Sequence, residues 1–319
     1  MEQEPQYLPI SPKILFPSET REFSLYTKRG SHYRLYCYKD DPFTREHKEL
    51  LLERGIARVY VRAPSRDWFK QYAQTHLGSV LQDHTIPLEE RSRAFYDTSL
   101  SVVRQTFNQK LPQGLDPAVL QKIERMVKEA LSFLSREETL RSLGALMSHD
   151  YDTYCHSVNV FILSASILQT FKRFNEDDLV QVGIGAILHD IGKTELPSEI
   201  INKPGKLTPE EYRLVREHPR VGQRLCAGAP LHQQSHDVIL YHHEKLDGSG
   251  YPIGAHGHHI PQCVRVVTIV DIYDALTSKR PYAPPLAPFD ALQLMRREFD
   301  GKIDPVYYER FVRLLSLTL

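Results

Sequence analysis

A mainly helical chain preceded by a small α/β module is the architecture this sequence predicts. Three observations point to it. Aromatic residues and Leu recur at alternate places between Glu22 and Tyr38, the period of strands. From Pro87 onward, charged residues alternate among Leu, Val, Ile and Met in a helical pattern. The remainder falls into further segments of helical spacing, so the rest of the chain is nearly all α.

Glu22 to Lys28 and Tyr33 to Tyr38 form a strand pair around the turn Arg29-Gly30-Ser31, because a short polar turn between two alternating runs favours a hairpin. Phe43 to Arg54 has the apolar spacing of a short helix, Ala57 to Val61 is a third strand, and Trp68 to Leu77 is another helix. This module of about 80 residues is just large enough for its own core. Between Pro87 and Met147, Pro112 and Gly114 split the helical pattern in two, since proline stops a helix and glycine weakens one. Helices are then expected at Cys155 to Phe171, Asp177 to Asp190, Pro209 to Glu217, His232 to His243, Gln262 to Ser278, Pro288 to Phe299 and Pro305 to Leu315. The domain division expected is an N-terminal module at 1–83, a helical connector at 84–147 that spaces or dimerises, and a C-terminal domain at 148–319.

A chain of 319 residues exceeds the usual size of one domain. Its 40 basic and 40 acidic residues cancel, which argues against broad binding to duplex nucleic acid or to an anionic membrane and leaves room for a local basic pocket. Cys37, Cys155, Cys226 and Cys263 show no CxxC spacing, and the start MEQEPQYLPISPK lacks the basic and apolar regions of a signal peptide. Apolar runs such as Val158 to Leu168 and Val264 to Leu276 are too short or too interrupted to span a bilayer. A cytoplasmic protein without a membrane anchor is expected.

The chemistry concentrates in two places. Leu188-His189-Asp190-Ile191-Gly192-Lys193 closes one predicted helix, and His242-His243-Glu244 leads into Asp247-Gly248-Ser249-Gly250-Tyr251-Pro252. Imidazole and carboxylate at this density are costly to hold together unless a metal compensates their lost hydration. A polynuclear metallo-hydrolase is the expectation. The His-Asp dyad with Ile-Gly-Lys, followed in order by HHE, two residues and DGSGYP, resembles the HD-GYP branch of the HD phosphohydrolase superfamily. That resemblance implies an all-helical metal-dependent domain, and its known members are bacterial phosphodiesterases of cyclic di-GMP. The N-terminal residues loosely resemble a module found ahead of some such domains. They lack the acidic cluster and Lys of a phosphate-accepting receiver, so a packing, regulatory or partner-docking module is expected.

By this resemblance six residues are metal ligands: His156, His189, Asp190, His218, His242 and Asp271, in the segments HSVNV, LHDIGK, REHPRVG, YHHE and IVDIYDAL. A carboxylate bridges two cations through its two oxygens, which makes Asp190 the natural bridge. His156 and His189 with Asp271 would hold one ion, and His218 with His242 the other. His243 either ligates or orients a neighbour. Asp152 has two readings: ligand of a third ion at a place where some members carry Glu, or a helix N-cap, a role open to Asp150 as well. His84, His232, His236, His256, His258 and His259 are taken as ordinary histidines. The donor types suit iron, manganese or zinc, and the resemblance favours two ions of iron or manganese.

Phosphodiester cleavage needs an activated water and neutralised phosphoryl oxygens, and paired cations supply both. Lys193 is placed to meet a phosphate, with helix C-terminal charge compensation as its alternative. Asp274, one turn after Asp271, would orient or deprotonate the attacking water, or else support a ligand His. Gly248, Gly250 and Pro252 allow a tight loop presenting Tyr251 to a guanine or phosphate. Lys203 and Lys206 flank the site or a solvated loop, and Arg280 in SKRPY is a bidentate phosphate clamp. Two departures touch substrate grip: Ala283 replaces a common second basic residue, and Leu246 replaces a common aromatic. The expected function is therefore hydrolysis of cyclic di-GMP to pGpG and on to GMP. The alternatives are a catalytically weak cyclic di-GMP receptor acting through a signalling protein partner, and a hydrolase of another nucleotide. A homo-oligomer is compatible with the sequence.

Overall fold

The alternating residues near the N-terminus build a four-stranded antiparallel sheet in the order β1-β4-β2-β3, from β1 (Tyr7–Ile10), β2 (Leu25–Arg29), β3 (His32–Cys37) and β4 (Val59–Arg62). The structure is a computed structural model that describes residues 6–17, 21–109, 114–147, 152–203, 205–279 and 284–316. The hairpin closes as expected, with Lys28 opposite Tyr33 and Arg29 opposite His32. Sequence reading did not anticipate β1, because Pro9 argues against a strand. The strand lies at the sheet edge, where a missing N–H donor leaves no ladder bond broken on the open side.

One face of the sheet meets α1 (Arg45–Glu53) and α2 (Arg66–Thr75). Ile10, Leu25, Cys37, Val59 and Val61 pack there with Phe23, Phe43, Leu51, Phe69 and Tyr72. α3 (Leu77–Gln82) follows. The chain divides into two compact units, Met1–Thr98 and Ser99–Leu319, and the division falls within α4 (Leu88–Phe107).

The second unit is helical throughout its described residues: α5 (Pro117–Leu134), α6 (Glu137–Gly144), α7 (Thr153–Gln169), α8 (Glu176–Leu188), α9 (Ser198–Ile201), α10 (Pro209–Val215), α11 (His218–Cys226), α12 (Gln233–Tyr241), α13 (Gln262–Thr277), α14 (Pro288–Glu298) and α15 (Pro305–Ser316). The expected fold class is thus the one observed. Pro112 and Asp150 lie outside the described residues.

Three helices form the centre because they are apolar on every side. α7 is buried without a break from Cys155 to Leu168, and α8 from Leu179 to Leu188. α13 is nearly as buried, from Cys263 to Thr277. α8 packs against α7, α12 and α5, while α13 packs against α7. α5, placed in the expected connector, therefore contributes to the core of this unit. No helix among the described residues is long and apolar enough to cross a membrane, and the four cysteines are buried and form no disulfide.

Local signals fix where α8 starts. Asn175 Oδ1 accepts the Asp178 N–H, Asp178 accepts the Asn175 N–H, and acids occupy 176 to 178, where the positive end of the helix dipole favours them. At its other end the chain turns into a short 3-10 segment, Ile191–Glu195, packed on α11. Gly192 makes that contact feasible. A Cβ there would lie 2.0 Å from the His218 carbonyl oxygen and 2.6 Å from the Gly222 nitrogen.

Candidate metal centre

Five chain segments deliver the candidate ligands. His156 lies in the first turn of α7, His189-Asp190 follow the last residue of α8, His218 opens α11, His242-His243 follow α12, and Asp271 sits within α13. Proline at 219, normally a helix stop, occupies the first turn of α11, where its missing N–H has no intrahelical partner to lose. His156, His189, Asp190, His218, His242 and Asp271 are all buried, and His243 is partly so.

Their donor atoms fall into two groups. His156, His189 and Asp271 form one, and Asp190, His218, His242 and His243 the other, each with ligand atoms within 4.8 Å of one another. In the first, His156 Nε2 lies 3.2 Å from His189 Nε2 and 3.1 Å from Asp271 Oδ1. In the second, His218 Nε2 lies 3.1 Å from His242 Nε2. Asp190 faces both: Oδ2 is 3.5 Å from His189 Nε2, and Oδ1 is 3.2 Å from His218 Nε2. His243 Nδ1 is 3.2 Å from Asp271 Oδ2, which ties the groups a second time.

The opposite ring nitrogens decide the tautomers. His189 Nδ1 donates to Ala186 O at 2.7 Å, His218 Nδ1 to Val215 O at 2.7 Å, and His242 Nδ1 to Ile239 O at 3.0 Å. Carbonyl oxygens only accept, so each Nδ1 carries the proton and a neutral ring presents a bare Nε2. His156 does the same through Asp274, whose Oδ2 accepts from Nδ1 at 2.7 Å. Four lone-pair nitrogens therefore converge in pairs beside two carboxylates.

Burial pushes the protonation equilibria of His189, His242 and His243 downward, so these rings favour the neutral form. For Asp190, burial acts upward, but Lys193 and His189 outweigh it and hold the carboxyl well below its ordinary range. Asp271 is held low in the same way, with His243 and His156 overcoming burial. Neutral nitrogens and ionised oxygens are the states in which these groups bind divalent cations. Asp190 Oδ1 is also buried without a hydrogen bond, which is costly for a charged oxygen lacking a cation. The donor set fits a divalent metal pair.

Other expected site residues are placed differently. Asp152 is the N-cap of α7: its backbone is extended, Oδ1 accepts the Tyr154 N–H at 3.0 Å, and Oδ2 pairs with Arg104 at 3.1 Å. It lies outside both ligand groups. Of the two readings of Asp152, the N-cap is the one whose hydrogen bond the structure contains, and the Asp152 carbonyl accepts the His156 N–H at 2.9 Å. Asp274, expected either to orient the attacking water or to support a ligand His, accepts from His156, from Asn159 Nδ2 at 2.9 Å and from Ser278 Oγ at 3.4 Å. Lys203 is held by Glu211 at 2.8 and 2.6 Å, which closes the capping box of α10 and removes Lys203 as a free phosphate ligand. Lys206 is exposed. Lys193 lies 2.5 Å from Asp190 Oδ2, at the edge of the metal groups. Arg280 and Ala283 lie outside the described residues.

Tyr251 reaches the centre by way of a tightly folded loop. Its ring centroid is 4.6 Å from that of His243, and Arg216 lies over the ring at 4.7 Å. Glu244 anchors the loop from inside, Oε1 accepting from Ile253 N at 2.7 Å and Gly254 N at 3.0 Å. Gly250 passes so close that a Cβ would lie 2.5 Å from Glu244 Cα. Leu246 lines a small cavity with Glu244, Ile260, Arg265 and Thr268. Sequence reasoning gave no role to Asn159, Arg216 or Glu244. All three stand in segments that singled out a neighbouring ligand: Asn159 in HSVNV, Arg216 in REHPRVG and Glu244 in YHHE.

Residues 123–306 match the family profile of the HD domain. The chain belongs to the HD domain family. Its ordered HHE and DGSGYP elements place this HD-domain protein in the HD-GYP branch. A Pseudomonas aeruginosa protein named a cyclic di-GMP phosphodiesterase is 35% identical over 219 residues, 68% of this chain and 52% of that protein. A Thermotoga maritima protein of the same name is 31% identical over 264 residues, 81% of this chain and 68% of its own. The HD-domain chain thus spans about half to two-thirds of these relatives. A solved Bdellovibrio bacteriovorus HDG"Y"P protein superposes with a TM-score of 0.69 at 18% identity, covering 97% of this chain and 99% of that one, which establishes a shared fold.

Proposed function

We propose that this HD-domain protein is a metal-dependent phosphodiesterase that opens cyclic di-GMP to pGpG and carries it on to GMP. The observation that supports this most directly is the pair of ligand groups sharing Asp190. His156, His189 and Asp271 would hold one ion and His218, His242 and His243 the other, with Asp190 between them; iron or manganese suits this donor set. When bound, such a pair supplies charge neutralisation at phosphoryl oxygens and a nucleophilic water at neutral pH.

The protein's own residues do the rest. Asp274, with Asn159 behind it, orients His156, and backbone carbonyls orient the other rings. Lys193 brings a cation to the mouth of the groups, where a phosphoryl oxygen arrives, and Tyr251 offers its ring beside His243. Hydrolysis adds water across one P–O bond to the ribose 3′ oxygen, leaving a 5′-phosphate and a 3′-hydroxyl. The N-terminal module, 1–83, serves regulation or partner docking in a cytoplasmic protein, and 148–319 carries the chemistry.

The test is anaerobic purification with elemental analysis, followed by incubation with cyclic di-GMP and chromatographic separation of products. Two equivalents of iron or manganese with pGpG formation are expected. Absence of transition metal, or metal-loaded protein that leaves cyclic di-GMP intact, would overturn the reading. The second outcome combined with tight binding would favour a receptor, a reading for which Ala283 leaves room.

A further inference from the structure

A cyclic dinucleotide carries two phosphodiesters, and the ligand groups can engage only the one that reacts. The other brings a second negative charge onto the protein and needs its own cation. Several cations on this side of the unit are already matched. Lys193 pairs with Asp190, Lys203 with Glu211 and Arg213 with Glu210; Arg220 contacts Glu217 and donates to Pro252 O at 2.8 Å.

Arg216 differs. Among the described residues no carboxylate pairs with it, and its contacts are two aromatic faces: Tyr251 at 4.7 Å and Tyr212 at 5.8 Å. It is half-buried, in the short segment between α10 and the ligand His218. Tyr251 contacts both Arg216 and His243, so its phenol ring links the guanidinium to the second ligand group. A guanidinium resting on an aromatic face keeps its N–H edge available, and that edge matches two phosphate oxygens at once.

We propose that Arg216 binds the non-reacting phosphate of the cyclic dinucleotide and is a specificity-determining residue of this site. The aromatic support fixes a side chain that would otherwise lose rotamer freedom on binding. It also gives Tyr251 a second function: the ring braces the cation as well as facing the substrate. A cation here supplies grip that the sequence lacks at Ala283. This inference rests on the phosphodiesterase reading, and the experiment separates the two.

Wild type, Arg216→Ala and Arg216→Lys, matched for metal content and melting temperature, are compared on cyclic di-GMP and on bis(p-nitrophenyl) phosphate, which has a single phosphodiester. Calorimetric binding of cyclic di-GMP is measured at two salt concentrations. For Arg216→Ala, the loss in kcat/KM on the cyclic substrate is expected to exceed that on the single ester by about tenfold to a hundredfold, the range for a charged hydrogen bond, and to appear mainly in KM. Its affinity should also fall less steeply with salt, and Arg216→Lys should recover part of the loss, most at low salt. Equal losses on both substrates, or unchanged affinity and salt dependence, would overturn the proposal. Wild type that cleaves neither substrate would instead overturn the phosphodiesterase reading, while the binding arm still reports on Arg216.

Discussion

Asp274 Oδ2 accepts the Nδ1 proton of His156 at 2.7 Å, joining α13 to the first turn of α7 behind the metal groups. The bond fixes which nitrogen of His156 faces Asp271 and His189, so Asp274 acts through the imidazole. Asp274→Ala should therefore weaken metal affinity by about 10- to 100-fold, the usual cost of losing the partner of a ligand histidine. Metal titration of the purified variant checks this. Intact metal affinity with lost turnover would return Asp274 to the attacking water.

The sequence made the ligand set legible and left its support obscure. His156, His189, Asp190, His218, His242 and Asp271 stand in short ordered motifs, so their residue types and neighbours announce them. Asp152 shows the limit. A spacing of four before His156 suggests a shared helical face, but Asp152 is the N-cap, where an extended backbone lets its side chain turn back to the Tyr154 N–H, and only the structure reveals this. β1 and α11 were not anticipated, and each holds a proline that only the structure shows to be harmless, Pro9 at a sheet edge and Pro219 in a first turn. Arg216 opens the REHPRVG segment, which drew notice to His218 alone; its own contact is with Tyr251, 35 positions away in sequence.

The ligand groups also predict how the metal-free protein responds to acid. Burial lowers the folded-state pKa of His189, His242 and His243 below the ordinary histidine value near 6.5. As pH falls through that value, the unfolded chain takes up protons that the folded chain refuses, so stability is lost. Asp190 and Asp271, also held low, contribute stability above the ordinary carboxylate range and lose it as pH falls further. The unfolding free energy of chelator-treated protein, measured by denaturant titration, should drop steadily from pH 7.5 to pH 5, with a slope of up to about 1.4 kcal/mol per pH unit for each excluded proton. A rise on acidification would mean that the facing Nε2 pairs share protons in the metal-free state.

Gly192 offers a steric test. Its added Cβ would meet backbone, the His218 carbonyl and the Gly222 nitrogen, so no side chain can swing aside to relieve the contact. Gly192→Ala should cost about 1 to 3 kcal/mol of stability and displace the start of α11. Because His218 is the first residue of that helix, metal stoichiometry should fall towards the one ion that His156, His189 and Asp271 would hold. Denaturant unfolding with elemental analysis measures both effects, and full stoichiometry with wild-type stability would show that the turn and helix can separate freely.

Glu244 is the remaining member of the HHE element, and its geometry predicts a graded response. Oε1 accepts two backbone N–H groups, from Ile253 and Gly254, while Oε2 is buried without a hydrogen-bond partner. Glu244→Gln keeps an oxygen for the two donors and removes a buried charge, so it should change stability by less than about 1 kcal/mol. Glu244→Ala leaves both donors unanswered and should cost about 2 kcal/mol or more, since each unsatisfied buried group carries a penalty of roughly 1 to 3 kcal/mol. The two donors stand just after Tyr251-Pro252, so the Ala variant should also release Tyr251 from His243 and raise KM for cyclic di-GMP while metal content stays near two. Unfolding curves rank the variants, and KM with metal analysis locates the effect. Equal behaviour of Gln and Ala would mean that the loop holds its shape through Gly250 packing alone, and that the carboxylate is not its anchor.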